Sequence, residues 1–234
     1  MSDISELETY LSISSKKFEI YLLNINNLEN LYKKELILSK ESEIIDVNIL
    51  NKFLDSHIFK IEKLIGKFIK DIFIIIEDKT VFNIDVSVKK KNYNEFITNS
   101  FLENTLTDIK DLFKENYRQN KLMHLIVNKY LVDGVNYSLI EDNVKSKEIC
   151  LEVRLISVLN STSYELDKIL KKYQIKVNNY LCRNYIKNFF LDENLELSEM
   201  SHKIKNGINT NEVQIISKYG KNKGFFEKFF QLFS

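Results

Sequence analysis

Along the chain, apolar residues alternate or cluster over 8–13, 17–25 and 31–38, with short polar turns between. This pattern predicts an antiparallel meander of three strands. Asp46 then precedes a run in which Val47, Leu50, Phe53, Leu54, Ile58, Ile61, Leu64, Ile65 and Phe68 recur at helical spacing, which predicts a long helix capped by that aspartate. Strands are predicted at 72–77 and 81–88, with Lys89, Lys90 and Lys91 as a solvated strand end. A helix over 101–117 places Leu102, Leu106, Ile109, Leu112 and Phe113 on one face. A strand at 122–127, a turn at Asp133 and Gly134, and a strong strand at 148–159 follow. Thr162 and Glu165 have capping-box spacing ahead of Leu166, Ile169 and Leu170, and a strand is expected at 173–177. Helices near 179–191, 196–206 and 211–219 complete the reading, the last two ended by Gly207 and Gly220.

The fold class is therefore α+β. Three strands, a helix and a returning strand form the opening of an actin-type or ribonuclease-H-type lobe. Residues 1–85 and 174–220 are assigned to that lobe and its trailing helices, and 86–173 to a small inserted α+β subdomain. Residues 221–234 form a separate C-terminal segment.

That segment carries five of the chain's 16 phenylalanines within its last ten residues. On a helical wheel Phe225, Phe226, Phe229, Phe230, Leu232 and Phe233 fall within roughly 160°, with Glu227, Lys228, Gln231 and Ser234 opposite. Gly220 and Gly224 precede Phe225 and loosen the attachment of this stretch, with Lys221 and Lys223 between them. A basic, aromatic amphipathic helix too short to span a bilayer is suited to lying in the membrane surface. The predicted membrane-binding residues are Lys221, Lys223, Phe225, Phe226, Lys228, Phe229, Phe230, Leu232 and Phe233. Docking of the same face on the protein's own core is the competing reading.

Composition changes this picture only by exclusion. The 234 residues, 44% hydrophobic, are enough for a substantial core. A formal net charge of +1 gives no general basic field for nucleic acid. No hydrophobic run is long enough to span a bilayer, and the start of the chain does not read as a signal peptide, so the body is expected in the cytoplasm. Only 3 of the 34 basic residues are arginine. Cys150 and Cys182 have neither disulfide-framework nor metal spacing and read as buried small hydrophobes. His57, His124 and His202 lie far apart without ligand-spaced neighbours, and His124, on an apolar strand, reads as a structural hydrogen-bonder. No Gly-x-Gly, Walker loop or HExxH is present. The first hairpin turns through Ser14, Ser15 and Lys16, with no glycine before Gly66. The reading is of no catalysis, no cofactor and no metal.

The stretch His124–Asp133, with Tyr130 and Val132 inside it, resembles the H-x-x-P-x-x-Y-x-[VL]-D stretch of FtsA, the actin-like bacterial division family. Residues 149–156 and 166–177 resemble that family's next strand, helix and strand. Residues 9–16 resemble its first strand and phosphate hairpin, and the C-terminal segment resembles its membrane-targeting helix. Val127 replaces the family's proline, and Ser12 and Ser14 replace the hairpin's Asp and Gly. The resemblance implies a shortened, nucleotide-free peripheral membrane protein at the cytoplasmic face or division septum. Its implied partners are membrane lipids, FtsZ or other division proteins, or a second copy. Two alternatives remain open: a pilus-assembly adaptor of the PilM type, whose lobes are also actin-like, and an ATPase with a distorted site.

Overall fold

The computed structural model describes residues 6–39, 45–140, 144–191 and 193–213. The helix expected over 211–219 is not formed at 211–213, where Glu212 makes an antiparallel bridge to Ile126 instead. The rest of that stretch and the predicted membrane segment at 221–234 lie outside the described residues. The chain divides into two compact units, Met1–Phe82 with Val158–Ile208, and Asn83–Ser157 with the chain from Asn209 onward.

In the first unit the meander is β1 (Leu7–Ser14), β2 (Lys17–Asn24) and β3 (Glu29–Ile37). After α1 (Val47–Ile65) come β4 (Asp71–Glu77) and the start of β5 (Val81–Phe96). The chain returns through α3 (Asn160–Lys171), β9 (Lys176–Cys182), α4 (Arg183–Phe189) and α5 (Leu197–Lys205). Sheet order is β3-β2-β1-β4-β9, with β1–β2 and β2–β3 antiparallel and β1–β4 and β4–β9 parallel. The five residues Ile72, Phe73, Ile74, Ile75 and Ile76 are all buried, as a parallel strand covered on both faces requires. Tyr10, Tyr21, Leu23, Phe73 and Ile75 pack with Leu181, Ile186 and Phe190, and with Leu197, Met200 and Ile204 of α5.

Asp46 caps α1 as predicted, its Oδ1 accepting the amides of Asn48 and Ile49, both at 3.0 Å. Asp46→Ala is expected to lower folding stability by about 1 kcal/mol, checked by the urea midpoint at unchanged slope. Leu50, Phe53, Leu54, Ile58 and Ile61 are buried as the periodicity requires, but Phe68 is not part of the helix. Gly66 takes φ 70° as the left-handed C-cap and stops it, leaving Leu64 and Phe68 exposed.

The second unit is built on the sheet β5-β8-β6-β7, with β6 (Asn120–Val132), β7 (Val135–Tyr137) and β8 (Lys145–Leu159), and on α2 (Asn99–Asn116). Leu102, Leu106, Ile109 and Phe113 of α2 share a core with Leu125, Val127, Ile149, Leu151, Val153 and Leu155. Asn211 and Val213 join the free flank of β6 through Val127 N–Asn211 O and Val213 N–Leu125 O, each 2.8 Å.

Several boundaries differ from the sequence reading for identifiable reasons. Lys89, Lys90 and Lys91 do not end β5, which runs on to Phe96. Lys90 continues the inward side of the alternation and pairs with Asp108, while Lys89 pairs with Glu148. Lysine also suits the edge position that β5 holds in its sheet. The capping box at Thr162 does not form, because α3 begins directly after β8 at Asn160 and Thr162 donates to Thr80 Oγ1 at 3.1 Å. Tyr173 and Gln174 close α3 instead of starting a strand, their amides bonding to Leu170 O and Lys171 O. The strand is consequently β9, and the helix expected over 179–191 shortens to α4. Finally, α3 belongs to the first unit rather than to the insert: Tyr180 of β9 donates to Ser163 O at 2.8 Å and to Asp167 Oδ1 at 2.7 Å. The second compact unit accordingly takes in 83–157 and leaves 158–173 to the first. No described helix is long and apolar enough to cross a membrane.

Candidate functional site

In an open sheet with parallel strands, ligand chemistry gathers at the strands' carboxyl ends. Here β1, β4 and β9 deliver Ser14, Glu77 and Cys182 to one end of the first sheet. The register aligns Ser12 with Glu19, Ser14 with Glu77 and Ile76 with Cys182. The residue after Cys182 is Arg183, and its guanidinium turns back over these ends. It donates to Ser12 Oγ and to Glu19 Oε2, both at 2.5 Å, and lies 3.4 Å from Glu77 Oε2. One planar cation thereby joins three strands while remaining only 4% exposed.

Glu19 collects the rest of the network. Tyr21 donates to its Oε1 at 2.8 Å, and Lys17 Nζ lies 2.8 Å from the same atom. Burial pushes the Glu19 carboxyl up, but hydrogen bonds from Lys17, Arg183 and Tyr21 outweigh it and hold the group at about 2. Burial also acts against the Lys17 ammonium, yet its bonds to Glu19 and Glu35 carry it above the usual lysine range. Arg183 and Lys17 against Glu19, Glu77 and Glu35 sum to two positive and three negative charges, a net of −1.

The hairpin between β1 and β2 is closed in the same way. Ser14 Oγ accepts the amides of Lys16 and Lys17 at 3.3 and 3.1 Å and donates to Lys17 O at 3.0 Å. A phosphate cradle needs such amides pointing at the ligand, and here the side chain of Ser14 takes them.

The residues of the His124–Asp133 stretch carry architecture. His124 Nδ1 and Glu212 Oε1 meet at 2.6 Å, with the side chains 1% and 8% exposed. Asp133, at φ 49°, accepts the amides of Lys147 and Glu148, both at 2.9 Å, and so ties the β6–β7 turn to β8. Tyr130 is buried, which raises its phenol to about 12. His57 meets Tyr32 OH at 2.8 Å, and His202 meets Glu8 at 2.8 Å beside Lys205, fastening α5 to β1. The three histidines are thus held in three separate places. Among the described residues no group of three or more His, Cys, Asp or Glu side chains is arranged to hold a metal ion. Cys182 is buried and Cys150 half-buried. Arg183, Glu19, Lys17 and Glu77 did not emerge from motif reading. Their available signal was the scarcity of arginine, since Arg183 is one of only 3 and stands where a flat, multidentate cation is required.

No protein-family model and no curated protein matches this sequence. Solved structures do. A chain of the PilM–PilN type IV pilus biogenesis complex superposes with a TM-score of 0.51 at 9% identity, covering 79% of this chain and 50% of that one. The first lobe is actin-like. Its strand order and directions are those of an actin-type lobe, and the superposition agrees. Looser matches are the cytoplasmic domain of EpsL, an inner-membrane component of the Vibrio cholerae type II secretion system, and a Bacteroides thetaiotaomicron protein with an actin-like ATPase fold. Their TM-scores are 0.40 and 0.32, at 8% and 15% identity; they cover 77% and 82% of this chain and 58% and 59% of their own. The chain spans about half the length of the solved pilus-complex chain. The superposition on the pilus-complex chain supports the actin-like fold and does not single out FtsA.

Proposed function

We propose that this chain is an adaptor on the cytoplasmic side of a membrane-bound assembly of the pilus or secretion kind, using an actin-like lobe as a scaffold without nucleotide turnover. The observation that carries this reading is the Arg183–Glu19–Ser12 network, which occupies the ends of the parallel strands with an internally neutralised cation. An incoming triphosphate would meet a net negative cluster and hairpin amides already bonded to Ser14. The likeness to the PilM–PilN chain supports the choice of assembly. An FtsA-type division role is the second reading, favoured by the sequence stretch from His124 to Asp133. The phenylalanine-rich tail would supply the membrane contact in either case, with lipids and a protein of the assembly as partners.

Calorimetric titration of the full chain with magnesium ATP tests the scaffold reading. No binding heat is expected up to millimolar nucleotide, and micromolar affinity would sink it. A fluorescent fusion should mark the cell envelope; a midcell band would favour division over pilus or secretion assembly. Phe226→Glu with Phe229→Glu should release the fusion into the cytoplasm, and unchanged envelope labelling would remove the tail from the account.

A further inference from the structure

The end of α1 carries a surface that the adaptor reading leaves unused. Phe59 is 69% exposed, Leu64 56% and Phe68 80%. On the helix Phe59, Lys63, Lys60 and Leu64 fall within about 140° of one another, on the side away from buried Leu50, Leu54, Ile58 and Ile61; buried Phe53 lies in the same arc, about two turns nearer the helix start. Past the Gly66 cap, Lys67, Phe68 and Lys70 follow. From 59 to 70 the chain holds four lysines against one acid, a charge of +3 that becomes +2 when Asp71, bonded by Asn178 at 3.2 Å, is included, in a protein whose formal total is +1.

The one acid is already engaged, since Glu62 Oε1 accepts the amide of Ile69 at 3.1 Å. The neighbouring Asp55 is bonded by Tyr173 OH at 2.7 Å. His57 lies on the same helix; its burial, followed by the charges of Lys60 and Lys34, lowers its proton affinity. Large exposed apolar side chains interleaved with lysines are a mismatch for water but a match for a bilayer interface, where rings enter the headgroup layer and ammonium groups meet lipid phosphates.

We propose that this end of α1 is a contact site for an anionic lipid surface. The positive charge selects the occupant, because an apolar surface alone would fit any greasy partner whereas the lysine excess requires an anionic one. The C-terminal segment has the same pairing of phenylalanine with lysine. A single weak anchor gives only reversible attachment, and two together give stable residence. The site is independent of the adaptor reading: a chain found to bind ATP would still carry it.

The test uses the full chain and vesicles of phosphatidylglycerol and phosphatidylcholine in equal parts, against vesicles of phosphatidylcholine alone. The triple variant Phe59→Glu, Leu64→Glu, Phe68→Glu is expected to lower the partition constant for the mixed vesicles about tenfold. The pair Lys60→Glu and Lys63→Glu should abolish the preference for phosphatidylglycerol. All five positions are exposed, so circular dichroism and melting should match the parent. Wild-type failure to bind the mixed vesicles would overturn the proposal, as would parental partitioning by both variants. Sedimentation velocity supplies the remaining outcome. If the triple variant alters association state while vesicle binding is unchanged, the surface is an interface between copies and the lipid assignment is wrong. The Phe226→Glu, Phe229→Glu variant is run in parallel, and its loss should multiply with that of the triple variant if the contacts act independently.

Discussion

Replacing Arg183 by alanine is expected to cost about 3 kcal/mol of folding free energy, near the lower end for breaking a buried ion pair. Glu19 would remain buried with only Lys17 and Tyr21 of its present donors, and Ser12 would lose its guanidinium contact. Urea denaturation gives the first measurement. The pH dependence gives a second that a simple packing loss would not reproduce. The Glu19 carboxyl is lowered from its ordinary 4.5 to about 2. A lowered carboxylate stabilises the fold fully above its unfolded value, and that contribution is lost as pH falls from about 4.5 towards 2. The shift corresponds to about 3 kcal/mol across that window. In the Arg183→Ala protein the acid limb should become shallower, and an unchanged limb would refute the assignment of Glu19 as the arginine's principal partner.

Leu151→Ala should be comparably damaging to the second unit. Leu151 is fully buried in β8, within a core shared by Leu102, Ile109, Leu125 and Val153. Loss of its side chain should cost about 2–5 kcal/mol, depending on how far the cavity collapses. Hydrogen exchange should show the loss in the amides of β6, β8 and α2. Leu112→Ala is the control: one helical position away from the buried Phe113, it is 49% exposed and should change stability by less than about 0.5 kcal/mol. Equal effects from the two substitutions would contradict the burial pattern.

Much of the lobe was readable because local chemistry and tertiary packing agree there. Asp46 is both a good cap and the polar residue directly before a periodic run, and the Ile72–Ile76 cluster, five residues rich in β-branched isoleucine, has the length and composition of a doubly covered strand. Reading failed where a residue's tertiary use outweighed its local preference. Tyr173 looked like a strand residue, yet its hydroxyl bonds Asp55 on α1 while its amide finishes α3. Thr162 had a capping pattern but lies inside the helix, spending its hydroxyl on Thr80. The candidate site was the least legible part. Four of its five charged members, Lys17, Glu19, Glu77 and Arg183, are separated by up to 166 positions, the difference between 183 and 17. Only the pairing of β1 with β2 and β4, and of β4 with β9, brings them together.

The attachment of Asn211 and Val213 to β6 has a mechanical consequence. Tension applied to the chain beyond Val213 enters the second unit at Leu125 and Val127, in the middle of a strand. The buried contact of His124 with Glu212 pins that junction from the side. A tethered body is held most firmly when the pull is shared along a strand instead of falling on one terminal bond. A pull on the chain beyond Val213 would therefore be met by a sheet strand and not by a single terminal bond.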